Sequence, residues 1–163
     1  MRVRPVHAAW AGQGAPLRSL NPTAGVSVHL LGEVGPPDVR SGPNGGATST
    51  YLGFKGPAWV SSKLVVQRLV PGDYTLQDAV ANRAKGVRGQ VVSAVPVTVA
   101  GHPGLDFRIQ TTPNSNTPLL MVGRWVQLDA RRIAVTFAFG DPSKERTINQ
   151  VSEFVVGSLR LPR

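Results

Sequence analysis

Fourteen arginines and four lysines stand against nine carboxylates, leaving a net charge of +9. Arginine's planar fork matches a carboxylate or phosphate with two parallel hydrogen bonds, so this excess points to an anionic partner. A GC-rich coding sequence would raise arginine, glycine, alanine and proline together, and is the competing explanation. Arg108 occupies a polar position of an alternating segment, Arg124 falls in a further expected strand, and Arg131 and Arg132 follow in the next turn, with Trp125 among them. If those segments neighbour one another in a sheet, the four arginines share one face and attract phosphates. Arg83, Lys85 and Arg88 form a secondary basic cluster at the end of a helix, where the carbonyl end of the dipole favours cations.

Other chemistry finds less to work with. The histidines, His7, His29 and His102, are far apart and lack metal-ligand spacing. His29 falls on the polar side of a strand, and His102 in a glycine-flanked turn. The nine acids are scattered, and two of them, Asp78 and Asp141, are accounted for as helix caps. No cysteine is present, which excludes disulfides, thiolate metal sites and a cysteine nucleophile. Neither a Gly-x-Ser-x-Gly nor a matched Ser-x-x-Lys set occurs. The segment Gly42-Pro43-Asn44-Gly45-Gly46-Ala47-Thr48 lacks the lysine and the following helix of a phosphate loop. No catalytic residue, metal site or cofactor site is therefore assigned.

The elements that must position the arginines are legible from periodicity. Val26, Val28 and Leu30 alternate with Ser27 and His29; Val95, Val97 and Val99 alternate with Pro96 and Thr98; Leu105, Phe107 and Ile109 alternate with Asp106, Arg108 and Gln110. Ile133, Val135, Phe137 and Phe139 give a fourth apolar face, whose reverse, Ala134, Thr136 and Ala138, is small enough to be covered as well. Further strands are expected at 48–54, 58–70 and 119–128, with Asp129-Ala130-Arg131-Arg132 and Gly101-His102-Pro103-Gly104 as turns. Thr75 followed by Asp78 is a capping box for a helix closing at Gly86. Asp141-Pro142 opens a second helix with Ile148, Val151 and Val155 on its inner face and Gly157 at its end.

Length and composition set the frame. The 163 residues are 41% hydrophobic and 17% charged, enough apolar material for one domain with a substantial core. Residues 1–19 read as an N-terminal extension and 20–163 as a single domain, with a Gly/Pro-rich loop at 32–47. No run approaches the ~20 apolar residues of a membrane-spanning helix. Met1-Arg2-Val3-Arg4 is followed by Pro5, His7, Gly12, Gln13, Gly14 and Pro16, which interrupt any signal-peptide core.

The passages Thr75-Leu76-Gln77-Asp78-Ala79 to Gly86, Val97 through Phe107, Gly123-Arg124 onward to Phe137, and Val151 through Leu161 resemble the PsbP-like superfamily. The resemblance spans about residues 20 to 161. Val26 in Gly25-Val26-Ser27-Val28, and Leu159, stand where that superfamily often carries aromatic residues. It implies an α+β fold, a mainly antiparallel twisted sheet of about six to eight strands flanked by two principal helices. The superfamily includes an extrinsic photosystem II subunit, a Ran-binding factor, bacterial envelope proteins of the DcrB kind and chaperones of secreted effectors. Nearly all are binders, so the resemblance implies a non-catalytic accessory module, bacterial and envelope-associated. An acidic protein surface or an anionic membrane surface is then the expected partner. The alternative is a basic nucleic-acid-binding protein using an arginine-rich sheet face, and behind it an enzyme with a small pocket between helix and sheet.

Overall fold

Ile133 to Phe139 alternates large with small, and that alternation organises the molecule. In the computed structural model, which describes residues 17–21, 25–41, 46–69, 75–112 and 115–162, this segment lies in the interior of the main sheet. The strands, in chain order, are β1 (Leu17–Asn21), β2 (Val26–Val28), β3 (Glu33–Val34), β4 (Asp38–Ser41), β5 (Ala47–Phe54), β6 (Ser61–Arg68), β7 (Gly89–Val99), β8 (His102–Thr111), β9 (Leu120–Gln127) and β10 (Arg132–Gly140). The helices are α1 (Leu76–Gly86) and α2 (Glu145–Ser158). Eight strands among the described residues form one sheet in the order β3-β5-β6-β10-β9-β8-β7, with β4 also on β5, and every pair is antiparallel. β1 and β2 pair separately.

Each helix covers one face of that sheet. The large residues Ile133, Val135 and Phe137 pack with Leu76, Ala79, Val80 and Ala84 of α1, joined by Leu105, Phe107, Ile109, Met121 and Trp125. On the reverse face Ala134 and Ala138 pack with Ile148, Val151 and Val155 of α2 and with Val26, Val28, Leu30 and Leu31. Small side chains there let α2 lie close to the strand. Two hydroxyls caught in the interior are satisfied: Thr136 Oγ1 donates to the Lys63 carbonyl (3.1 Å), and Ser62 Oγ accepts from the Leu31 amide (3.2 Å).

The capping box at α1 forms as the spacing requires, Asp78 N donating to Thr75 Oγ1 and Thr75 N to Asp78 Oδ2, both at 3.1 Å. Gly86, however, still belongs to the helix; Val87 is the C-cap, and the left-handed residue is Arg88 (φ 56). Asp141 and Pro142 open a 3-10 turn, Pro142–Lys144, and α2 follows it and runs through Ser158, one residue past Gly157. Beyond α2 the chain returns to β2, where Ser27 and Arg160 exchange backbone hydrogen bonds.

Several boundaries differ from the sequence reading. The stretch 32–47 contains β3 and β4, because β5 offers a free edge that even short segments can pair with; residues 42–45 lie outside the described residues. The boundary at residue 20 falls within β1. Residues 58–60, expected in a strand, belong to a 3-10 turn, Pro57–Trp59, and its exit. The β7–β8 turn is Ala100-Gly101, both at positive φ (49 and 83), as a two-residue hairpin demands, so His102 is already in β8.

β7 is an edge strand, and this overturns its expected inward face. Val95 is 56% and Val92 58% exposed, while Val97 and Val99 are half-buried. A register shift between Val91 and Ser93 makes Val92 an extra, bulged residue.

Candidate functional site

Register decides where the arginines go. Asp106 of β8 sits directly opposite Arg124 of β9, and the two form a bidentate pair, Nε to Oδ1 at 2.6 Å and a terminal nitrogen to Oδ2 at 3.0 Å. These hydrogen bonds raise the already high pKa of Arg124, against the opposing effect of partial burial. Arg108, two residues along β8 on the same face, reaches α2 instead. It donates to Glu145 Oε1 at 2.6 Å and to Asn149 Oδ1 at 2.7 Å. Arg108 and Arg124 do line a common groove of about 520 Å³ between α2 and the sheet, together with Asp106 and Glu153. Their charges are matched by Glu145 and Asp106, so this face is no cationic stripe.

Arg131 and Arg132 lie elsewhere. Thr136 is the residue opposite Arg124, and the step of four positions from it to Arg132 amounts to about 13 Å along β10. The four arginines therefore do not converge, which corrects the expectation of a single face. The cause is the strand offset: the β9–β10 turn places Arg132 at the end of the sheet, whereas Arg124 sits midway along β9.

What register brings together there is a different set. Arg132 pairs directly with Arg68 of β6, and opposed residues carry their Cβ atoms only about 5 Å apart. Arg131 is adjacent and exposed, and its carbonyl accepts from Leu69 N at 2.6 Å. Asp129 serves the group: its Oδ1 accepts from the amides of Arg131 and Arg132, both at 2.8 Å, and its Oδ2 from Arg132 Nε at 2.7 Å. Among the described residues Arg68 and the Arg131 side chain have no ion-pair partner. Arg68 was missed from sequence because its importance lies in its cross-strand neighbour, and pairing of β6 with β10 cannot be read from either segment alone.

The Arg131 amide, followed by the Arg132 side chain, holds the Asp129 carboxyl below the usual carboxylate range. A carboxylate so depressed stabilises the turn fully above its unfolded pKa and loses that effect as pH falls through the folded value. Acidification below the ordinary aspartate range should accordingly lower the protection of the Arg131 and Arg132 amides, their exchange measured against the intrinsic rate at each pH, with the Asp129 carboxyl carbon titrating in step. Protection that stays constant while Asp129 protonates would contradict this.

Trp125, expected among the arginines, faces the other side of the sheet. It is 3% exposed and lies under α1, and Arg83 sits over its ring at 6.0 Å and over Phe137 at 5.6 Å. The secondary cluster thus divides: Arg83 turns onto the rings, while Lys85 and Arg88 are exposed. Lys63 of β6, opposite Phe137, places its ammonium 5.4 Å from the Phe139 ring centre. Its pKa is lowered, first by burial and then by Arg83.

His29 is not on a polar surface. Its ring packs edge-on against Phe154 (5.4 Å), its Nε2 is buried without a hydrogen bond, and its backbone amide donates to Ser158 Oγ at 2.8 Å. His102 Nε2 lies 3.4 Å from the Pro162 carbonyl. Both histidines border the C-terminal segment. His7 lies outside the described residues. Among the described residues no three His, Asp or Glu side chains are grouped to hold a metal ion, and no helix is long and apolar enough to cross a membrane.

No family profile matches the sequence and no curated protein does. Among solved structures the chain is similar to a protein of unknown function, PA94 from Pseudomonas aeruginosa, with 14% identity and a TM-score of 0.45 over 79% of this chain and 99% of that one. It is also similar to cyanobacterial PsbP (CyanoP) from Synechocystis sp. PCC 6803, with 11% identity and a TM-score of 0.44 over 77% of this chain and 92% of that one.

Proposed function

We propose that this chain is a non-catalytic binding module that presents the basic end of its sheet, Arg68, Arg131 and Arg132, to an acidic protein surface. The observation that carries this is the direct cross-strand opposition of Arg68 and Arg132. Like charges in that relation are unfavourable in the free protein, and a carboxylate-bearing partner relieves the repulsion. Arginine suits such a partner because its fork engages carboxylates bidentately. The PsbP-like resemblance of the sequence, with its accessory and envelope-associated members, supports the same kind of role.

Nucleic acid is the second reading, and the position of Trp125 weakens it. Single-strand binding combines cations with exposed rings on which bases stack. Trp125 is buried under α1, so it cannot supply that platform to the arginines.

Polyglutamate, single-stranded and duplex oligonucleotides, and phosphatidylglycerol vesicles would be titrated at low salt against the wild-type chain and the R68Q/R131Q/R132Q variant, with Asp129 retained. Binding to polyglutamate that weakens with salt, and falls about tenfold in the variant, is expected, since each rim charge contributes up to ~1 kcal/mol. Absence of polyglutamate binding, or equal binding by the variant, overturns the proposal. Tighter binding to oligonucleotides or to vesicles than to polyglutamate transfers the site to that partner.

A further inference from the structure

α2 packs mainly on β10 and β9, and the same face of β8 and β7 floors the groove of about 520 Å³ along its flank, a size in the range of small-ligand sites. Register lays two rows across that floor: Val95, Asp106 and Arg124 in one, Ser93, Arg108 and Val122 in the other. The facing wall is a single stripe of α2, Asn149, Ser152, Glu153 and Val156, at the i, i+3, i+4, i+7 spacing of one helix face. Two guanidiniums and two carboxylates, those of Asp106 and Glu153, line the groove, which is therefore formally neutral. A ligand with one net charge leaves that charge unmatched where water is partly excluded; a ligand carrying both signs does not.

The ion pairs retain capacity on both sides. Arg124 commits Nε and one terminal nitrogen to Asp106, and Arg108 commits its two terminal nitrogens to Asn149 and Glu145. A guanidinium has five N–H donors and a carboxylate about four acceptor sites, so each can take a further partner without breaking its pair. Arg108 and Arg124 are diagonal neighbours across β8 and β9, about 7–8 Å apart, a span that one carboxylate bridges between two long side chains.

Ser152 adds the independent observation. It is 5% exposed, yet its hydroxyl has no hydrogen-bond partner among the described residues. A buried hydroxyl in a helix ordinarily turns back onto a carbonyl of the preceding turn, as Ser158 of the same helix does onto Val155 at 2.7 Å. Ser152 lines the groove instead. Beside it Val95, Val122 and Val156, all at least partly exposed, supply an aliphatic strip.

We propose that this groove binds a small zwitterion, an α-amino acid with an aliphatic side chain. Its carboxylate takes the remaining donors of Arg108 and Arg124, its ammonium takes Asp106, the Ser152 hydroxyl supplies the buried polar contact, and the side chain lies on the valines. The ligand's two charges then each meet their opposite, and the paired groups of the protein stay paired. The site is distinct from the Arg68–Arg131–Arg132 end of the sheet and does not depend on it.

Calorimetric titration of the full chain with L-valine and with L-leucine tests this, alongside each amino acid's amide, which keeps only the positive charge, and its deaminated acid, which keeps only the negative one. Saturable binding is expected with at least one of the two amino acids, and binding at least tenfold weaker with both of its singly charged analogues. R108Q should weaken it about tenfold, the effect of losing one charge-assisted hydrogen bond, and S152A about fivefold. R68Q/R131Q/R132Q should leave it unchanged. Ser152→Ala raises helix propensity, so should R108Q not fold, the S152A titration decides alone. No saturable binding with either amino acid overturns the proposal. So does an amide or acid that binds as tightly as its parent, or binding that R108Q and S152A both leave unaltered.

Discussion

Replacing Phe137 by alanine is expected to destabilise the protein by about 3–5 kcal/mol. Phe137 is 1% exposed at the middle of β10. Its ring meets Phe107 edge-on at 6.1 Å and Phe139 at 5.6 Å, and Arg83 covers it. Truncation removes the transfer energy of the ring and leaves a cavity that strands hydrogen-bonded on both sides cannot close. Denaturant unfolding measures the change; an unaltered midpoint with an unaltered slope would mean that the ring is not part of the core. Phe137→Leu, which keeps most of the volume, should cost less than half as much, about 1.5 kcal/mol.

Gly123→Ala should be nearly as damaging although it adds only one carbon. Gly123 of β9 is directly opposite Phe137. A Cβ built there would lie 2.1 Å from the Thr136 carbonyl oxygen and 2.4 Å from Phe137 Cβ. The first neighbour is backbone, so no rotamer change can relieve the overlap; β9 and β10 would have to separate at the centre of the sheet. About 3 kcal/mol is the expected loss, at the upper end for overpacking. The two positions are in contact, so the double variant should deviate from the sum of the single ones, a coupling that a double-mutant cycle reads directly. A Gly123→Ala chain with wild-type stability would show that the two strands are less tightly apposed than described.

How far the sequence revealed this architecture follows from which signals are local. Periodicity is local, and it placed β8, β9, β10, the inner face of α2 and the capping box of α1. The small reverse face of Ala134, Thr136 and Ala138 disclosed that β10 is covered on both sides. Strand order is not local. The alternation of Val95, Val97 and Val99 looks the same on an edge strand as on a central one, so the exposure of Val95 was hidden. The same limit governed the candidate site. The expectation that Arg108 and Arg124 would share a face if their strands were neighbours left out the carboxylates that neutralise them, which come from Asp106 across a strand pair and from Glu145 on α2. Trp125 is the immediate chain neighbour of Arg124, and for that reason alone faces the opposite way, since successive strand residues alternate sides. Arg68 acquires meaning only from its pairing with Arg132.

The two margins of the main sheet are unequal, and the inequality bears on how the protein stays dispersed. One margin is divided between the short strands β3 and β4. The other is β7, eleven residues without a single charged side chain, which is the composition that invites fibrous stacking of sheets edge to edge. Two features interrupt that invitation. The extra residue at Val92 breaks the regular spacing of outward amides and carbonyls, and Pro96 has no amide hydrogen to give. A foreign strand arriving at this margin meets uninterrupted ladder only in fragments. Restoring the spacing, by deleting Val92 and exchanging Pro96 for a β-branched residue, would turn a quiet border into a growing one.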